Sequence, residues 1–239
     1  MMSPAQLLLV TAVVGAGAAL QGSIGFGLGL MAAPLLVLIE PRLVPAPLLL
    51  ASGVLTVLLT HRERHAIIMD DLKWSLGGRV LGTLPALAIL TAIPGDRLGL
   101  AFGALVLLGV GLTASGWHLP PSPRVLLGAG ALSGFMATTA AIGGPPMALV
   151  YQHESGPRIR ATLSAYFVVG VAISLTGLAL VGRFGLTEAA LAGALLPAIL
   201  IGFWVSRHTA RRLDRGSLRP ALLTVSAASA AAVIVKHLI

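Results

Sequence analysis

The chain has 239 residues, of which 56% are hydrophobic and only 10% charged, and it carries a formal net charge of +8. Its mean hydropathy is +0.95, whereas a soluble domain carries roughly 25% charged residues, so this composition excludes an ordinary water-soluble fold. The basic excess sits in short clusters between apolar runs and offers no accessible basic surface for neutralising phosphates, which excludes a nucleic-acid role.

The uncharged runs, in chain order, are 1–39, 43–60, 80–95, 98–123, 125–152, 161–182, 189–206 and 220–235. A spanning helix needs about 20 predominantly apolar residues, so the chain reads as about eight hydrophobic segments and leaves no room for a soluble domain. The first run lacks a positive leader and reads as part of the mature membrane domain. It is too long for one simple span, and it is broken by Gln21-Gly22-Ser23-Ile24-Gly25-Phe26-Gly27-Leu28-Gly29, with Pro34 following. The connection at 61–74 holds His61 and His65 at helical spacing before Asp70-Asp71, an arrangement that reads as a charged interfacial loop and not as a metal site. The third segment carries Arg79 within Gly77-Gly78-Arg79. A guanidinium at membrane depth is a functional candidate by default, but Arg79 lies about 9 Å along the helix from Lys73 and could equally snorkel to the headgroups.

The run 125–152 is the second abnormal segment, broken by Ser133-Gly134, Thr138-Thr139 and Gly143-Gly144-Pro145-Pro146. Superposing Gly27 on Gly143 also brings Pro41-Arg42 onto Pro157-Arg158, and Asp96-Arg97 matches Asp214-Arg215 after a slip of about two residues. This predicts an internal repeat, residues 1–116 and 117–239, within one membrane domain. If each broken segment crosses the membrane once, the halves are parallel; if each is re-entrant, they are inverted. The cluster Arg207, Arg211, Arg212, Arg215 and Arg219 precedes the last segment and marks a cytoplasmic loop. Glu188 opens its segment, where a carboxylate meets the positive end of the helix dipole.

Irregular backbone at membrane depth is tolerated only inside protein or beside a water-filled cavity, and interrupted segments at matching places in two halves point to a transporter's binding site. A glycine break creates helix N-termini whose unpaired N–H groups and dipole suit an anion. The residues singled out are Gln21, Gly22, Ser23, Gly25, Gly27, Gly29, Arg79, Thr138, Thr139, Gly143, Gly144 and Pro145.

The string Gly25-Phe26-Gly27-Leu28-Gly29-Leu30-Met31-Ala32-Ala33-Pro34 resembles the first-repeat signature of the sulfite exporter TauE/SafE family, and Gly143-Gly144-Pro145-Pro146-Met147-Ala148-Leu149 resembles its second. Leu28 stands where the family usually has another glycine, and Ala141 where glycine is frequent. The resemblance implies a permease for sulfite, organosulfonates or related oxyanions and carboxylates, with export assigned more often than uptake. The expected protein is an all-α polytopic membrane protein of two related halves with broken or re-entrant first helices. It is a secondary transporter of a small anion, multi-pass in a bacterial inner membrane, with the lipid bilayer, a coupling proton or sodium ion and a second copy of itself as expected partners. No cofactor, metal or catalytic group is expected. The rival readings are an anion channel or non-transporting membrane subunit and, behind these, an intramembrane enzyme.

Overall fold

The computed structural model describes residues 2–92, 98–117, 119–213 and 219–238. Among them it holds ten helices and no strand: α1 Pro4–Ile24, α2 Leu28–Ile39, α3 Ala46–Glu63, α4 Met69–Ala92, α5 Leu98–Ser115, α6 Pro123–Ala140, α7 Gly144–Tyr151, α8 Gly156–Leu180, α9 Leu186–Leu213 and α10 Arg219–Leu238. The eight apolar runs become ten helices because both abnormal runs are cut in two. Four helices are long and apolar enough to span a membrane, namely α1, α4, α8 and the 186–210 part of α9, and shorter apolar helices pack between them. Leu7, Leu8, Leu81, Leu84, Ile201 and Trp204 project outward from α1, α4 and α9. So much exposed apolar surface requires a lipid solvent.

The cuts follow from local backbone chemistry. Ser3 opens α1 with a capping box to Gln6, and Gly25 closes it in the left-handed region at φ 94°, where a side chain would be strained. Gly27, at φ 121°, then turns the chain back. The second break uses Ala141 at φ 58°, a left-handed alanine, which costs about 1–2 kcal/mol relative to glycine's freedom. Leu28 packs against Gly17, in the middle of α1, so α1 and α2 form a hairpin.

Helix directions follow from the contacts. Gly15 and Gly22 of α1 meet Ala198 and Ser206 of α9 in rising order, and Gly130 and Gly134 of α6 meet Ser75 and Arg79 of α4 in rising order, so both pairs are parallel. Gly53 meets Val171 while Glu63 meets Arg160, which makes α3 and α8 antiparallel. Arg79 and Thr83 of α4 meet Gly170 and Gly177 of α8 in rising order, a parallel pair. The start of α3 (Ala46), the start of α9 (Thr187) and the ends of α4 (Leu90) and α8 (Leu178) share one cavity. Helices α1, α3 and α9 therefore run one way and α4, α6 and α8 the other. Helices α1 and α6, which precede the two breaks, run in opposite directions.

Candidate functional site

The two breaks meet at the centre of the molecule. Gly29 at the start of α2 lies against the Ala141 carbonyl, and Gly144 at the start of α7 lies against Phe26. Between them is a small cavity of about 40 Å³, lined by Gln21, Phe26, Gly27, Gly29, Leu30, Gly143, Gly144 and Pro145 from the hairpins, Ser52 and Thr56 from α3, and Arg79 from α4. One water needs roughly 10–15 Å³ on this measure, so the space holds a species of about three or four heavy atoms.

The α2 N-terminus carries part of its own cap: Gln21 Oε1 accepts the Leu28 N–H at 3.3 Å. First-turn N–H groups have no acceptor inside the helix, and those of Gly29 and Leu30 follow on the cavity wall. The N-terminus of α7 is poorer in donors because Pro145 and Pro146 have none; Gly144 supplies its N–H. The Gly143 carbonyl is already engaged, accepting from Ser133 Oγ at 2.6 Å.

Arg79 is 1% exposed. Its Nη1 donates to Ser133 O and Oγ (3.4 and 3.3 Å), and its Nη2 donates to Gly170 O and Ser174 Oγ (3.1 and 3.0 Å). Its Nε has no partner, and among the described residues no carboxylate is within ion-pair distance. The guanidinium lies over the Tyr166 ring, 5.6 Å from the centroid. Gly143 and Gly170 leave it room, since a Cβ on either would be 3.0 Å from its atoms. Burial decides against headgroup snorkelling for this side chain.

Of the residues singled out from sequence, Gln21, Gly27, Gly29, Arg79, Gly143, Gly144 and Pro145 line the central cavity. Gly22 and Ser23 lie at the C-terminal end of α1, where their carbonyls accept from Arg62 and Arg160, and Gly25 packs on Arg160. Thr138 sits behind Arg79, bonded to Ser174 (2.8 Å) and Thr83 (3.3 Å). Thr139 belongs to a different space, a vestibule of about 470 Å³ that it lines together with Arg42, Arg183 and Glu188; its hydroxyl has no partner. Beside the vestibule, two hydrogen bonds from Arg42 (2.8 and 2.9 Å) hold the Glu40 carboxyl below the usual carboxylate range. Asp96-Arg97 and Asp214-Arg215 lie outside the described residues.

Sequence reasoning missed Ser52, Thr56, Gly170 and Ser174, and it named Ser133 only as part of the break, not as a partner of Arg79. Ser52/Thr56 and Gly170/Ser174 are spaced i, i+4, one face of a helix, and small polar pairs at that spacing within apolar runs were the available signal.

An all-helical multi-pass membrane protein, with two broken hairpins meeting at a polar cavity, is a transporter architecture. The chain belongs to the sulfite exporter TauE/SafE family, whose profile, Sulfite exporter TauE/SafE, matches residues 9–233. Neither the curated proteins nor the solved structures contain a significant match to it.

Proposed function

We propose that this chain is a secondary permease for a small oxyanion or carboxylate of about the size of sulfite, which passes through the cavity between the two hairpins. The observation that carries this reading is Arg79: a buried guanidinium on the cavity wall, with its Nε free and with neutral hydrogen-bond partners only. A buried cation lacking a carboxylate is costly, and an anion in the cavity supplies the missing charge. The helix N-termini at Leu28 and Gly144 add donors without adding charge. Membership of a family named for sulfite export supports the substrate class.

Residues 1–116 and 117–239 are the two related halves in this reading, inverted with respect to each other. Described basic residues gather on one face at Arg62, Arg64, Lys73, Arg124, Arg158, Arg160 and Arg207, against Arg42 and Arg183 on the vestibule face. By the positive-inside rule the first face is cytoplasmic. The protein then sits in the cell membrane, a bacterial inner membrane, with the vestibule facing outward, and couples transport to a proton or sodium gradient.

The test is accumulation of sulfite by proteoliposomes under an imposed proton or sodium gradient. Uphill accumulation is expected. Equilibration without accumulation identifies a channel, and absence of any anion flux or anion-dependent thermal stabilisation overturns the permease reading.

A further inference from the structure

On the cytoplasmic side of the central cavity, α1 ends in carbonyls that the break leaves without helical donors. Two arginines take them: Arg62 Nη2 donates to Gly22 O at 2.6 Å, and Arg160 Nη1 donates to Ser23 O at 3.2 Å. Both also hold one carboxylate oxygen, since Glu63 Oε1 accepts from Arg62 Nε at 3.2 Å and from Arg160 Nε at 3.1 Å. Arg62 Nη1 reaches on to Ser206 Oγ at 3.0 Å. The cluster thus ties α1, α3, α8 and α9 together. Gly22 adjoins Gln21, and Gly25 is two residues from Gly27, so the cluster is fastened to the same chain break that supplies these two residues of the cavity lining.

Arginines at a helix C-terminus need no further explanation, because they complement its negative dipole end. Glu63 does. It is the last residue of α3, and it faces the end of α1, so its carboxylate sits against two negative helix ends that disfavour it. What it does there is hold, with one oxygen, the Nε–H groups of both guanidinium groups, and an arriving oxyanion would compete for those two donors through the same charge-assisted hydrogen bonds.

We infer that Arg62 and Arg160 form an anion-reception site at the cytoplasmic mouth, and that Glu63 is its internal occupant, displaced by the incoming oxyanion. The displaced carboxylate turns toward water, the Glu63 link between α3 and α8 is lost, and the mouth loosens. The inference rests on the permease reading, and it adds a site and a residue that reading does not need.

The experiment compares full-length wild type with E63Q, which keeps the shape and removes the charge, using sulfite as the probe. In proteoliposomes of sorted orientation, E63Q lowers the KM for sulfite on the cytoplasmic face by about two- to fivefold, the range for losing one partly exposed ion pair, and leaves the vestibule-side KM unchanged. Thermal stabilisation by sulfite is larger in E63Q than in wild type, and E63D behaves as wild type. An unchanged or raised cytoplasmic KM in E63Q makes Glu63 a structural bridge only and overturns the inference. If E63Q does not accumulate, S206C decides, because the natural chain has no cysteine. Cytoplasmic-side sulfite should speed its labelling by an impermeant maleimide in otherwise wild-type protein, and no change in rate overturns the inference. Loss of sulfite flux in wild type, with stabilisation and labelling still responding as stated, sinks the permease reading alone.

Discussion

Placing a guanidinium at the bilayer centre costs about 2.5–3.5 kcal/mol on insertion scales, and Arg79 offsets this through bonds to Ser133, Gly170 and Ser174 on two neighbouring helices. Arg79→Gln removes the charge that balances an anion in the cavity, while Arg79→Lys keeps it and loses the planar fork. A hydrogen bond to a charged group contributes about 1.5–3 kcal/mol, so R79Q should weaken sulfite-dependent thermal stabilisation by about ten- to a hundredfold in apparent affinity, with R79K intermediate. Equal affinities in both variants and wild type would remove Arg79 from the site. Gly170→Ala tests the same point from the far side: its new Cβ, 3.0 Å from the Arg79 Cζ and Nε, shifts the guanidinium, and sulfite transport should fall while the protein still accumulates. The sequence revealed that Arg79 was anomalous but not where it pointed. Depth along α4 permitted snorkelling, and only the packing of α4 between α6 and α8 turns the side chain inward while its neighbours Val80 and Leu81 stay exposed.

Packing between elements is governed by glycine wherever two backbones touch. A Cβ on Gly82 of α4 would collide with the Ala131 carbonyl of α6, and one on Gly29 with the Ala141 carbonyl across the two breaks. Gly82→Ala should therefore separate a parallel helix pair and reduce the amount of folded protein recovered from the membrane. Gly128→Ala, on the exposed side of α6 with nothing within 4 Å, should be neutral or stabilise by about 0.5–1 kcal/mol through helix propensity. Comparable recovery of both variants in size-exclusion profiles would show that the close approach is not limiting. Gly29→Ala acts at the cavity itself, and sulfite flux should vanish even where folded protein is recovered. These breaks were legible in the sequence because mid-membrane Gly and Pro clusters have few other uses. The helix count was not: a run of 39 residues without a charge shows that something interrupts it, but only the backbone at Gly25 and Gly27 shows that the chain doubles back to give α2. Thr138 and Thr139 mark the limit from the other direction. They are adjacent in sequence, yet a 100° step around α6 sends one to the Arg79 network and the other to the vestibule.

At the scale of the whole molecule, an odd number of reversals separates α1 from α6 among the described helices, so the two start on opposite faces. That parity could not be read from the sequence, where a re-entrant and a crossing break leave the same apolar run, and the loop charges looked balanced until each loop was assigned a face. Once α3, α7 and α9 end on one side, the described basic residues divide strongly in its favour, and the vestibule with Thr187 opens on the other. By the positive-inside rule this bias predicts a cytoplasmic basic face, because basic loops are retained in the cytoplasm during insertion. The absence of native cysteine makes this directly measurable. Single cysteines at His65, exposed between α3 and α4, and at Thr187, exposed at the start of α9, should behave oppositely in intact cells. T187C should react with an impermeant maleimide from outside, and H65C only after the membrane is opened. Anion in the medium should slow the T187C reaction if the vestibule leads to the central cavity, since an ion passing inward shares that space. Labelling of H65C in intact cells with T187C protected would invert the orientation and put the Arg62–Glu63–Arg160 cluster at the outer mouth. Labelling of both from outside would break the antiparallel relation of α3 and α8 on which the proposed inverted arrangement stands.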